Sequence, residues 1–223
     1  MASAVSATSR QSSFHFEEVA TEATAGIDVV ADVGANRGRE FITLTGSGKS
    51  GHVEILLVAK TAYFKGDLFG LESFTHIGAA LAKKYAGRWI SVPSTNSGFA
   101  SVTGTLTVLG VANQLVLLPG TLTRGAATTT SGVPTLPIAA ADSASGGVLR
   151  LTEYVSAKGV ALPVLVEGTT SATSTGTRHI KVTFGHWGES VVVGAPTGTV
   201  PITAVIASGP PASTPTTTTT PKG

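Results

Sequence analysis

Along most of this chain apolar and polar residues alternate one for one. Phe14 and Phe16 stand against His15 and Glu17, and the same beat continues through GIDVVADVG, REFITLTG and HVEILLVAKTAYFKG. It returns in GTLTRGAAT, TLPIAAA, GVLRLTEYVSA, LPVLVEGT, RHIKVTF and ESVVVGAP, separated by Gly, Ser and Thr clusters. A period of two puts successive side chains on opposite faces of a strand, so these segments predict at least eight short strands in a meandering antiparallel sheet. Asn36–Gly38 (NRG) and GSGKSG (Gly46–Gly51) read as turns between them. One stretch breaks the beat. Phe74, Ile77, Leu81 and Tyr85 fall on one helical stripe and predict an amphipathic helix over 72–86. Gly87 follows as a left-handed C-cap, and Lys83, Lys84 and Arg88 suit the negative end of the helix dipole. A less amphipathic helical candidate covers 97–110, where its threonines and glycines lower helix propensity.

Composition sharpens this picture. The 223 residues suffice for one substantial core, and we read a single domain over 13–208 with a flexible segment at 1–12 and a Pro/Thr-rich, disordered tail at 209–223. On an exported protein that tail is a stalk or an O-glycosylation substrate; otherwise it is a frayed end. Charged residues are 13% of the chain, about half the usual share, and mean hydropathy is +0.30. Such a chain either buries an unusual fraction of itself or keeps apolar surface for something to occupy. A net charge of +2 with dispersed basic residues does not suggest nucleic-acid binding. With no cysteine, disulfides, thiolate metal sites and thiol catalysis are excluded. MASAVSATSRQSS has no apolar core segment of a signal peptide, so export requires a signal outside this form.

Candidate chemistry is sparse. GSGKSG satisfies G-x-G-x-x-G, but a phosphate loop must open a helix, and HVEILLVA follows as a strand. His15, His52, His76, His179 and His186 show no metal-ligand spacing; His52 and His179 are expected on outward strand positions and His76 on the helix flank. Glu17 and Glu18, as strand neighbours, face opposite ways and cannot act as an acid–base pair. Glu54 and Glu153 are expected to face solvent. No G-x-S-x-G elbow occurs. We therefore expect no catalysis, cofactor or metal. Lys65, Lys83, Lys84 and Arg88 either serve the helix dipole or form a basic patch for anionic headgroups. Tyr63, Phe69, Phe74, Tyr85 and Trp89 either fill a core or line a cavity.

The run AYFKGD, then a helix, then KYAGRWISVP resembles the LolA-like lipoproteins of the LppX/LprG type in actinobacteria. LPVLVEG and HIKVTFGHWGESVVVGAP resemble that group's distal strands, and the likeness runs from about Phe14 to Ile202. The resemblance implies an α+β fold: a curved antiparallel sheet, or half-barrel, with one or two helices on its concave face and acyl chains held between the layers. It implies a secreted or cell-envelope protein that binds or transports lipid, with Tyr63, Phe69, Phe74, Ile77, Leu81, Tyr85 and Trp89 around an apolar cavity and Asp67–Ser73 as a gating loop. The expected partner is a lipid or other apolar small molecule, with membrane-surface contact and a monomeric state. The lipidated cysteine of that family is absent. The alternative is a cell-envelope structural or protein-interaction domain with a filled core and no ligand.

Overall fold

The computed structural model describes residues 2–75, 77–116, 118–143, 147–172 and 176–207. The tail at 209–223 and His76 lie outside the described residues. The alternating segments form strands β1 (Ser13–Glu22), β2 (Ala25–Gly34), β3 (Arg37–Gly46), β4 (Lys49–Val58), β5 (Thr61–Gly66) and β6 (Ile90–Pro93). A second run follows, with β7 (Thr121–Arg124), β8 (Thr128–Thr130), β9 (Val133–Asp142), β10 (Gly147–Ser156), β11 (Pro163–Ala172), β12 (Gly176–Gly185) and the short β13 (Val200–Pro201).

All thirteen join one curved, unclosed sheet in the order β13-β6-β5-β4-β3-β2-β1-β12-β11-β10-β9-β7, with β8 paired to β9. Every pairing is antiparallel except β13 with β6. The chain thus lays down one meander from β1 to β6, crosses over, and builds the second back towards β1. The two halves meet at the β1–β12 ladder, where Phe16 stands opposite Phe184. Phe14, Phe16, Phe184 and Trp187 pack around that seam, the Phe14–Trp187 centroids 4.7 Å apart.

One face of the sheet carries the core. Phe14, Phe16, Ile55, Leu57, Ile90 and Val92 are all buried on it, each contributing roughly 1.5–3 kcal/mol relative to exposure. Residues of the helices join the same core cluster: α1 (Ala2–Ser9) before β1, α2 (Leu68–Thr75) and α3 (Ala79–Tyr85) after β5, α4 (Phe99–Thr103) and α5 (Val108–Val111) with a π-helical turn at Ala112–Val116 after β6, and α6 (Ile202–Ala207) after β13.

Several expectations meet a different arrangement. The helix expected over 72–86 starts earlier and breaks in two: Asp67 caps α2 rather than opening a loop, its carboxylate accepting the Gly70 N–H at 2.7 Å and the His52 N–H at 2.9 Å. Gly78 then adopts extended backbone (φ −63°, ψ 152°) ahead of α3, where a glycine resists helix. The 97–110 candidate is likewise two short helices parted by residues 104–107. ESVVVGAP forms no strand. It has no ladder partner among the described residues, and Val192 is 84% exposed. Its Gly194 and Pro196 disfavour regular pairing. The leading segment 1–12 carries α1, whose Ala4 is buried in the core. GSGKSG is the expected turn: Ser47 and Gly48 both have positive φ (52° and 72°), joining β3 to β4 as a two-residue hairpin.

Candidate functional site

Inner-face positions on β5 and β6 provide the floor of an apolar cavity. In TAYFKG every second residue is buried, so Phe64 points inward, while Ile90 and Val92 of the neighbouring β6 do the same. Three helices wall this floor: α2 brings Phe74 and Thr75, α4 brings Ser101 and Val102, and α6 brings Ile202, Val205 and Ile206. Ile77, Asn96, Ser97 and Gly98 complete the boundary of a space of about 480 Å³, within the range of small-molecule pockets (~300–1,000 Å³). Ile206, 65% exposed, and the exposed Ser97 and Ser101 mark the side facing solvent.

Among the described residues, none of this lining is ionisable. Its polar groups are partly spent on local structure. The Thr75 hydroxyl donates to the Leu71 carbonyl at 2.6 Å, and Asn96 Oδ1 accepts the Gly98 N–H at 2.9 Å. What remains is an aliphatic and aromatic surface that rewards burial of a hydrocarbon without demanding a charge partner.

Helix α2 holds its wall by close backbone approach. A Cβ on Gly70 would run into the His52 carbonyl, and one on Gly51 would meet the Gly70 N at 2.5 Å. Glycines facing each other therefore let α2 sit directly on β4, with Phe69 lying across Gly46 and Gly51. At the other end Gly87 takes the left-handed conformation expected of it (φ 72°) and donates its N–H to the Gly66 carbonyl at 2.8 Å.

The residues singled out in the sequence separate into groups. Phe74 and Ile77 line the cavity. Leu81 packs against the core and Tyr85 is buried within it, neither lining the cavity. Tyr63 alternates with buried Ala62 and Phe64 and so lies on the outer face. Trp89 is also there, with Lys65 Nζ 4.5 Å from its ring centroid. Phe69 covers the glycines of β3 and β4. The lining residues not anticipated are those of α6 and the Asn96–Val102 stretch. Ile202, Val205 and Ile206 follow helical spacing within ITAVIA, a signal present in the sequence but only six residues long.

The inner face also buries carboxylates. Glu17 is exposed, whereas Glu18 faces inward with Arg178 Nη2 at 3.6 Å; burial raises its pKa against the pull of that guanidinium. Glu40 is buried, and the Thr105 hydroxyl lies 3.0 Å from each of its oxygens. Burial pushes its pKa up to about 7, opposed by the Thr105 hydrogen bond and reinforced by the charge of Glu18. Glu153, expected to face solvent, is 0% exposed, and neither carboxylate oxygen has a hydrogen-bond partner. Burial raises it to about 7 as well. The parity of β10 explains the placement: Glu153 shares its face with Val155 and stands opposite Val166. Glu54 is on the outer face, paired with Lys65 at 3.2 Å.

His52 and His179 are exposed on strands. His15 Nδ1 lies 2.9 Å from Asp32 and its Nε2 3.7 Å from Glu17, so both ring nitrogens face carboxylates. Among the described residues no group of three or more His, Asp or Glu could hold a metal ion, and no helix is long and apolar enough to cross a membrane.

The chain matches no protein-family model, and no curated protein matches its sequence. Among solved structures it is similar to MucB, in the crystal structure of MucB in complex with MucA(peri). That alignment has 10% identity and a TM-score of 0.38 over 83% of this chain and 54% of the other. The chain therefore spans about half the length of that structure. A likeness of this size leaves the fold to rest on its own strand order and register.

Proposed function

We propose that this protein is a non-catalytic, extracytoplasmic carrier that binds a lipid or similar apolar molecule, with its helices roofing the concave face of the sheet. The observation that carries the reading is the cavity of about 480 Å³ between β5, β6, α2, α4 and α6, lined among the described residues by aliphatic, aromatic and uncharged polar side chains. The resemblance to LolA-like lipoproteins supports the same class and supplies the envelope location. Binding is by burial: about 0.8 kcal/mol per methylene, so about ten methylenes give about 8 kcal/mol gross, the scale of micromolar affinity before association costs.

Native mass spectrometry before and after organic extraction tests the reading. A bound mass that disappears on extraction and matches a lipid is the expected result. An apo mass with no uptake of added phospholipid or triacylglycerol would sink it. That outcome would favour the second reading, an interaction domain with a filled interior. Its support is a hollow of about 780 Å³ on the outer face of β7 and β9–β12, where Arg150, His179 and Lys181 stand among threonines.

A further inference from the structure

Three helices wall the cavity, and two of them are fastened to the sheet by side-chain hydrogen bonds. One oxygen of Asp67 accepts the Gly70 N–H of α2 and the other the His52 N–H of β4, and the facing glycines Gly51 and Gly70 seat that helix against the strand. Just beyond α4, the Thr105 hydroxyl lies 3.0 Å from each oxygen of buried Glu40. Leu106, fully buried, follows so close to β3 that a Cβ on Gly38 would stand 2.8 Å from its carbonyl oxygen. Moving either wall breaks polar contacts as well as apolar packing.

The third wall is α6, and its attachment is weaker. It has six residues, of which Val205 alone is buried, and an isolated helix shorter than about 12–15 residues is marginal in water. The chain leading to it has no ladder of its own. The Glu189 carbonyl accepts the Ser13 hydroxyl, and the Val200 N–H donates to the Trp89 carbonyl at 2.8 Å. Between them, from Ser190 to Thr199, no residue makes a hydrogen bond among the described residues. Val193 is buried, and no residue from Gly194 to Ala204 is. Only the two residues of β13, paired with β6, hold the chain before α6 begins. Ile206 of α6 is exposed together with Ser97 and Ser101, so this helix borders the mouth of the cavity.

We propose that Val200–Ala207, β13 with α6, is the gate of the cavity and swings outward as one piece on a strap at Gly194–Thr199. Opening breaks the Val200–Trp89 hydrogen bond and the apolar packing of Ile202 and Val205, a smaller loss than lifting α2 or α4. It withdraws three apolar lining residues at once, Ile202, Val205 and Ile206, and bares the floor of Phe64, Ile90 and Val92 to an entering hydrocarbon. A few loop residues suffice to absorb such a rotation. The gate rests on the carrier reading for its use. It lies on α6 and not on Asp67–Ser73, the stretch that the family resemblance makes the gating loop.

A disulfide staple tests the gate. Ser91 and Pro201 are register partners, and paired strands lie within the Cα separation a disulfide spans, about 4.4–6.8 Å. The chain has no cysteine, so Ser91→Cys/Pro201→Cys can form only that bond within one molecule. By stopped flow, the oxidised double variant is expected to take up a fluorescent acyl probe at least about tenfold more slowly than its reduced form. Neither single variant should respond to reductant. Hydrogen exchange of the ligand-free wild type gives a reading that needs no ligand. The Val200 amide is expected to exchange at least about tenfold faster than amides of the β4–β5 ladder, and the staple to abolish that difference. Equal uptake by oxidised and reduced protein would overturn the gate, as would a Val200 amide no faster than the ladder. Uptake by no form at all would sink the carrier reading instead, and exchange would then decide whether the gate moves.

Discussion

The two halves of the sheet obey the same alternation and end in different surroundings. From β3 to β6 most inner positions are apolar and meet α2, α4 and α6, as with Ile55, Leu57, Phe64 and Ile90, Glu40 of β3 being a buried exception. From β9 to β12 the inner face places a fully buried Glu153 opposite Val166, and the far end of β12 is exposed on both faces, from Gly176 to His179. The helices explain the difference. Helices α2 and α3 are inserted after β5, α4 after β6 and α6 after β13, and α2, α4 and α6 meet that end of the sheet, whereas α1 precedes β1 and packs with the π-helical turn that touches β11. Distal strand tips without a roof present Thr, Arg and His on either face. Where the roof falls decides where a cavity can form.

The largest effect that would sharpen this contrast is core truncation. Leu57→Ala on the proximal inner face is expected to cost about 2–5 kcal/mol. Ile180→Ala, on a partly exposed distal position, should cost about 1 kcal/mol, because less apolar area is returned to water. Denaturant unfolding of the two variants checks this, and equal losses would break the comparison.

Acidity should act on both halves next, through Glu153 in the distal one and Glu40 in the proximal one. Glu153 titrates at about 7 in the folded chain against an ordinary 4.5, so between those values the native state holds the extra proton. Stability is therefore fully present below pH 4.5 and falls as pH rises to about 7, by on the order of 3 kcal/mol for this buried group. Glu40 contributes in the same direction and window. Glu153→Gln should flatten the pH dependence and raise Tm at pH 8, with little change at pH 5. A wild-type Tm higher at pH 8 than at pH 5 would contradict the sign. The smallest effect belongs to the outer face: Lys65→Ala removes its pair with Glu54 and its contact with Trp89, at a cost below about 1 kcal/mol by chemical denaturation.

The strands and their antiparallel meander were legible because period two is a strong local signal, and the GSGKSG turn was legible because a strand, not a helix, follows it. Face assignment was legible in principle and missed at Glu153, Tyr63 and Trp89. Glu153 shares parity with Val155, so the alternation that placed His52 and His179 outward should have placed Glu153 inward. The cavity was only half legible. Phe74 and Ile77 came from a helical stripe, yet that stripe spans two helices, because Asp67 caps α2 early and Gly78 interrupts it. Tyr63 and Trp89 are near in sequence but sit across the sheet from Phe74, a separation fixed by strand parity. The α6 wall follows Val200–Pro201, whose pairing to β6 joins positions more than a hundred residues apart. No local pattern reports such a contact.

The central claim is that the space between β5, β6, α2, α4 and α6 takes an apolar ligand. Titration of a fluorescent acyl probe into the wild type, Val102→Trp and Leu81→Trp tests it most directly. Val102 lines the cavity and Leu81 does not. The account predicts saturable, stoichiometric binding to the wild type and Leu81→Trp, and loss of at least about tenfold in affinity for Val102→Trp, about 1.4 kcal/mol or more. Binding that survives Val102→Trp, or a wild type that never saturates, would contradict it.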